Sequence, residues 1–401
     1  MKNYNNIQSF LSEMLTKISS NVNEKDLCNN TPFLVGKNWK NISIHSILLK
    51  NYSFEGKAVS SRDICFMLHN APQLKSVNLV LVDDVVPVLR EICRSNSNIE
   101  KLTMKKCSSQ GNLIPETVLI NVLLSLRNLQ SLELKQTKFT SHKFFETISL
   151  QSNITSIDVS LNEHVTLGDL MMVAHNSRIL EFKMSRRYKT PKISDQEMAH
   201  LIKALKQQIT LLHMDMCGLG NYTYNEIFSC SNLNDLKLNN AINLGVELLC
   251  KMSECLRNIR NLKIEGPSTI GEGDLYKALF ADPTFGHQLE TLKLEYYSSL
   301  SDKECCEILE VCPNLKKLSL KGSSKVTIEG ICDVLVNATG LTLLNLAFLG
   351  ISTFSSNILK LPSLDVLIID QTSCELNNLL TLPEACHLKI IQLTKKNKKF
   401  G

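Results

Sequence analysis

The chain has 401 residues, 43% hydrophobic and 21% charged, with 16 Gly and 10 Pro. That composition can bury a large core, and it excludes a disordered, collagenous or disulfide-held miniprotein class. The formal charge of +5 shrinks once Lys395, Lys396, Lys398 and Lys399 of the basic tail, residues 394–401, are set aside. Nothing therefore predicts bulk affinity for nucleic acid or membrane, and a single Trp argues against a stacking platform for single strands.

The first 20 residues contain no continuous apolar run and no small-residue cleavage site. The 14 Cys are accordingly expected as reduced thiols in the cytoplasm, the nucleus or both. Residues 10–50 predict three short helices. The first runs from about Phe10 to Ser19, with Leu11, Met14, Leu15 and Ile18 on one face. Asn23 caps a second containing Asp26 and Leu27, and a third opens near Pro32 and carries Phe33, Leu34, Val35, Trp39 and Ile42. Such a module has too small a core to stand without a neighbour or partner.

Within it, Leu11-Ser12-Glu13-Met14-Leu15-Thr16-Lys17-Ile18 is followed by Glu24-Lys25-Asp26-Leu27-Cys28 and Leu34-Val35-Gly36-Lys37-Asn38-Trp39. The order and spacing of these blocks resemble an F-box. Ser12, Ser19 and Gly36 depart from that family's pattern, which usually has Pro, a large apolar residue and Cys there. The resemblance implies that Leu11, Glu13, Leu15, Ile18, Leu27, Val35 and Trp39 contact a Skp-type adaptor. For Leu15, Ile18 and Trp39 the other reading is that they fill the module's own core.

Residues 51–393 are organised by a recurring triplet: an apolar residue, a second three positions on, and a third two positions beyond that. Thirteen copies run from Leu74/Val77/Leu79 to Leu388/Ile391/Leu393, spaced by about 26 residues, within the period range of leucine-rich repeats. The last two apolar positions predict a short strand with one buried face. Patterns such as Val118, Leu119, Val122, Leu123 and Leu126 predict a helix between strands. The expected fold class is α/β: a leucine-rich-repeat solenoid, with a curved parallel sheet inside and helices outside, preceded by the small helical module.

The repeats resemble the cysteine-containing class of leucine-rich repeats. Cys107 and Cys217 stand three residues past a strand's last anchor, while Cys230, Cys312 and Cys386 end helices, and all are read as buried packing residues. Extra length at Ser108 to Glu116, at Arg187 to Gln196 and between Gly266 and Gln288 is read as rim loops.

The residues between and just after the two strand anchors define a candidate substrate-binding face. Lys237, Lys263 and Lys293 take one position in three consecutive repeats, with Glu265 and Glu295 two positions further on. They suit either a solvated, internally paired surface or a site for an acidic or phosphorylated segment. Lys183, Arg186 and Arg187 begin a second basic cluster with Lys189 and Lys192, and His213 falls on an inner strand. Tyr296 and Phe348 are the candidate aromatic anchors.

No P-loop, nucleophile elbow, zinc-protease helix or Cys-x-x-Cys pair occurs, and no His lies at ligand spacing from Cys305, Cys306 and Cys312. The expectation is no catalytic residue, cofactor or metal. The apolar stretch Leu79 to Leu89 is broken by Asp83, Asp84 and Pro87, so no segment approaches a membrane span. Together the two resemblances imply a non-catalytic substrate receptor of an SCF-type cullin-RING ubiquitin ligase. The F-box would dock the Skp-type adaptor and, through it, a cullin; the repeats would hold an unidentified protein substrate, with one copy of the chain per complex. The rival is an intracellular leucine-rich-repeat binding or inhibitor module whose amino-terminal helices only cap the array.

Overall fold

A strand with every second residue apolar can bury only one face, and the predicted triplets do this by stacking in parallel. The computed structural model describes residues 51–56, 59–139, 142–150, 153–175, 178–186, 193–215, 218–266, 270–282, 284–335, 337–349, 358, 361–370 and 390–394. The predicted module at 10–50, Arg187, Lys189, Lys192, Cys217, Cys386 and residues 395–401 of the basic tail lie outside them.

In a first compact unit, ending at Phe182, strands β1 (Asn51–Glu55), β2 (Ser76–Val80), β3 (Lys101–Lys105), β4 (Ser131–Lys135) and β5 (Ser156–Asp158) alternate with helices α1 (Ser61–Asn70), α2 (Val86–Ser95), α3 (Glu116–Ser125), α4 (His142–Leu150) and α5 (Leu167–Ala174). The boundary falls within β6 (Glu181–Ser185). The second unit continues with α6 (Asp195–Leu205), β7 (Leu211–Asp215), α7 (Asn221–Phe228), β8 (Asp235–Asn239), α8 (Val246–Cys255) and β9 (Asn261–Glu265). Beyond these come α9 (Asp274–Leu279), α10 (Thr284–His287), β10 (Thr291–Glu295), α11 (Asp302–Val311), β11 (Lys317–Ser319), α12 (Ile328–Leu335), β12 (Leu343–Asn345), β13 (Val366–Asp370) and β14 (Ile390–Thr394). In each unit the strands are parallel and follow chain order.

Register matches anchor to anchor. Val77, Leu102, Leu132 and Ile157 align in the first unit, as do Leu212, Leu236, Leu262, Leu292, Leu318, Leu344 and Leu367 in the second, and none is more than 2% exposed. Strand β1 adds a copy beyond the thirteen predicted. Its Tyr52 and Phe54 face Val77 and Leu79, completing a triplet that starts at Leu49 in the sequence. An aromatic alcohol in the second anchor position hid it from a pattern of aliphatic residues.

Two residues past the third anchor the backbone turns left-handed, with φ 56° at Leu81, 55° at Lys106 and 50° at Gln136, and 62° at Tyr296, 73° at Gly322 and 62° at Phe348. A left-handed residue other than Gly costs on the order of 1–2 kcal/mol. The turn is offset by N–H bonds that extend the ladder: Leu81 donates to the Lys105 carbonyl at 2.8 Å, Tyr296 to Lys321 at 2.7 Å and Gly322 to Ala347 at 2.9 Å.

At three of these turns the next position carries a small polar side chain that satisfies a strand-end carbonyl of a preceding repeat. The Cys107 thiol donates to Leu79 O at 3.4 Å, Thr137 Oγ1 to Met104 O at 3.2 Å, and Ser323 Oγ to Leu294 O at 3.3 Å. Cys107, Cys230 and Cys312 are buried and free, as their placement in the repeat predicts. Burial pushes their thiols up to about 11, 12 and 12, which leaves them inert as nucleophiles at neutral pH.

One rim expectation needs correction. The segment between Gly266 and Gln288 contains two short helices, α9 and α10, because Leu275, Ala278 and Leu279 find buried positions between Pro267 and Pro283 and Phe285 finds one just after Pro283. Ser108 to Pro115 does remain loop, tied to the preceding repeat by Asp83 Oδ1, which accepts from Ser108 Oγ at 2.5 Å and Gly111 N at 2.9 Å. Among the described residues no helix is long and apolar enough to cross a membrane.

Helix starts are also linked between repeats. Glu304 closes a capping box with Ser301 and accepts the Leu275 N–H at 3.2 Å while only 2% exposed. Replacing it by Ala orphans these donors, so Glu304→Ala is expected to cost about 2 kcal/mol in urea unfolding and to speed amide exchange in α9 and α11. The exposed neighbour change Lys303→Ala should stay within about 0.5 kcal/mol.

Candidate partner-binding surface

On the face of the sheet turned away from the helices, charged side chains stand where apolar anchors alternate inward. In the first unit they neutralise one another. Glu133 on β4 is 7% exposed, its carboxylate 2.6 Å from Lys101 Nζ and 2.9 Å from Lys135 Nζ, and Lys135 reaches Asp158 at 3.1 Å. Burial alone would raise the Glu133 pKa, but hydrogen bonds and charge from the two lysines prevail and hold it at about 2.

The second unit is arranged differently. His213, Lys237, Lys263, Lys293 and Ser319 face one another in register on β7 to β11, so the predicted lysine column is real. Its members are not equivalent. Lys263 Nζ lies 2.5 Å from Glu295 and 3.3 Å from Glu265, and Ser319 Oγ donates to Glu295 at 2.8 Å. His213 Nε2 is 2.7 Å from Asp235 Oδ1. The ammonium groups of Lys237 and Lys293, each residue half-buried, make no ion pair or hydrogen bond with any described residue. Burial and the neighbouring Lys263 press the Lys237 ammonium below its ordinary value, against the pull of Asp215, Glu265 and Glu295.

Lys183 occupies the same position on β6, and Arg186 follows it, its backbone N–H donating to Asp215 O at 3.0 Å. Arg187 and the seven predicted adaptor contacts fall outside the described residues. Tyr296 and Phe348 both sit at left-handed turn positions past β10 and β12. Between them stands Lys321, a residue the sequence reading passed over, its Nζ 5.1 Å from the Tyr296 ring centroid and 5.5 Å from that of Phe348. Lys321 takes the position of Glu265 and Glu295 one and two repeats on, and extending that column by one step would have found it. Tyr296 fits because Gly322 has no Cβ; one there would collide with Tyr296 Cδ1. Among the described residues no group of three or more His, Cys, Asp or Glu is placed to hold a metal ion.

No family model matches the chain, and no curated protein matches it. Among solved structures, the chain is similar to one described as the Rad7 and Elc1 complex in yeast, at 15% identity and a TM-score of 0.55, covering 100% of this chain and 91% of that one. It is also similar to an internalin of Listeria monocytogenes, at 15% identity and a TM-score of 0.38 over 75% of each chain. A TLR13–ssRNA13 complex aligns at 17% identity and a TM-score of 0.37, over 86% of this chain and 51% of that one. The fold is that of leucine-rich repeats.

The Glu133 network yields a signed prediction. A carboxyl at about 2 when folded and 4.5 ordinarily contributes stability that is complete above pH 4.5 and lost as pH falls through 2. Urea unfolding between about pH 6 and pH 2 should therefore show a steeper loss for the native chain than for Glu133→Gln, which should itself cost about 1–3 kcal/mol at neutral pH.

Proposed function

We propose that the chain is the partner-holding subunit of a ubiquitin-ligase assembly. Its amino-terminal segment docks a Skp-type adaptor and, through it, a cullin; its repeats hold the protein to be modified. The observation that supports this reading is the order of modules. F-box-like blocks at 11–39 stand directly ahead of a repeat array whose first described strand begins at Asn51, and the Rad7 fold that aligns with the whole chain was solved in complex with Elc1. The chain contributes no catalytic group in this reading. Its contribution is proximity, which raises the effective concentration of a target lysine near a conjugating enzyme carried elsewhere in the assembly. The finer assignments, SCF composition and the adaptor contacts Leu11, Glu13, Leu15, Ile18, Leu27, Val35 and Trp39, belong to this proposal.

The test is co-purification of the intact chain with a Skp-type adaptor and a cullin, beside a Leu15→Asp/Trp39→Asp variant whose repeat fold is checked by circular dichroism. Capture by the native chain and loss of at least about tenfold in the variant is expected, because an Asp at either apolar contact buries an unpaired charge. A native chain that captures neither protein overturns the ligase reading and leaves a leucine-rich-repeat binding module.

A further inference from the structure

The open face of the second unit does not present a uniform lysine stripe. Its middle member, Lys263, is held between Glu265 and Glu295, and His213 is held by Asp235. Among the described residues, Lys237 and Lys293 stand without an ion pair, one on each side of Lys263 and separated by two strand spacings. Two spacings amount to about 10 Å, close to the roughly 9 Å that a polyproline II segment covers in three residues, one full turn that returns its side chains to the same face. At the turn three residues past Lys293 stands Tyr296, 43% exposed, and at the corresponding turn two repeats further on stands Phe348, with Lys321 between their rings.

We propose that β8 to β12 dock an acidic segment of a partner protein, lying across the strands with two anionic groups three residues apart on Lys237 and Lys293 and an apolar side chain beyond them against Tyr296 and Phe348. The identity of the partner rests on the receptor reading above; the ligand chemistry of the surface does not.

Three observations support the site. The two cations are the unspent charges of the column, and an anion arriving at Lys237 relieves an ammonium that burial and Lys263 already disfavour. Glu265 and Glu295, drawn in by Lys263, leave the centre of the site with no appetite for a third acid, so the residues between the two anions should be neutral or basic. The aromatic pair is fixed in place by its turns, by Gly322 and by Lys321, so it can be covered at little cost in side-chain entropy.

The experiment measures binding of fluorescein-labelled synthetic peptides to the full chain by anisotropy at low and moderate salt. The lead peptide carries two Asp three residues apart, Ser between them and Leu beyond; companions move the acids to adjacent positions, place a third Asp between them, replace Leu by Ser, or put phosphoserine in place of each Asp. The proposal expects the lead peptide to bind about tenfold or more tightly than the adjacent-acid and three-acid peptides, with salt weakening it. Lys237→Glu/Lys293→Glu should abolish that preference, Tyr296→Ala should weaken the Leu peptide and not the Ser peptide, and Lys143→Glu, on helix α4 of the first unit, should change nothing. The phosphoserine arm reports which source of negative charge is preferred. Equal affinity for all spacings, undiminished binding by the charge-reversed variant, or no binding of any acidic peptide by the folded native chain overturns the inference. Adaptor capture measured on the same preparations separates that failure from failure of the ligase reading.

Discussion

Everything in this molecule depends on register. The side-chain period of a strand is two, so a slip of one residue would expose Leu236, Leu262 and Leu292 and bury Lys237, Lys263 and Lys293. Burial of the first set and the desolvation cost of the second act in the same direction, and the left-handed turn past each third anchor holds the stack at its other end. The column of cations on the open face is a consequence of how the core is packed.

The two units resolve their charges in different ways from the same geometry. On β4 and β5 the acids Glu133 and Asp158 occupy the central column, with lysines two positions before and after, so each lysine has an acid within reach. On β8 to β10 the lysines occupy the column and the acids stand two positions along, on β9 and β10 alone. Lys263 has one acid on its own strand and another on the next, and it takes both. Lys237 and Lys293 are left beside a neutralised neighbour. The surface thereby acquires two cations flanking a centre in which two acids outnumber one lysine, and a binding partner can be selected by such a pattern as well as by net charge.

Much of this was legible in the chain. The triplets placed thirteen strands, and the cysteines at Cys107, Cys230 and Cys312 were readable as buried because repeat position, not chemistry, assigns them. The lysine column followed from alternation alone. What was not legible depends on contacts rather than periods. Strand β1 hides behind Tyr52 in an anchor position; helices α9 and α10 hide on either side of Pro283; and the pairing of Lys263 in preference to Lys237 or Lys293 turns on side-chain reach between strands. Lys321 is legible as the next member of the Glu265 and Glu295 column, but its place between Tyr296 and Phe348, rings from turns two repeats apart, is not. The F-box-like blocks and Arg187 lie outside the described residues, and what is said of them stands on the sequence.

The most direct measurement of the central claim is disulfide formation in a Lys237→Cys/Lys263→Cys chain under mild oxidation, read by peptide mapping. In-register parallel neighbours stand about 4.8 Å apart, inside the range a disulfide spans, so rapid cross-linking is expected. A Lys237→Cys/Glu265→Cys chain, displaced by two residues and so about 8 Å apart, should not link. Linking in the second chain and not in the first would contradict the register, and with it both the core and the open-face site built on it.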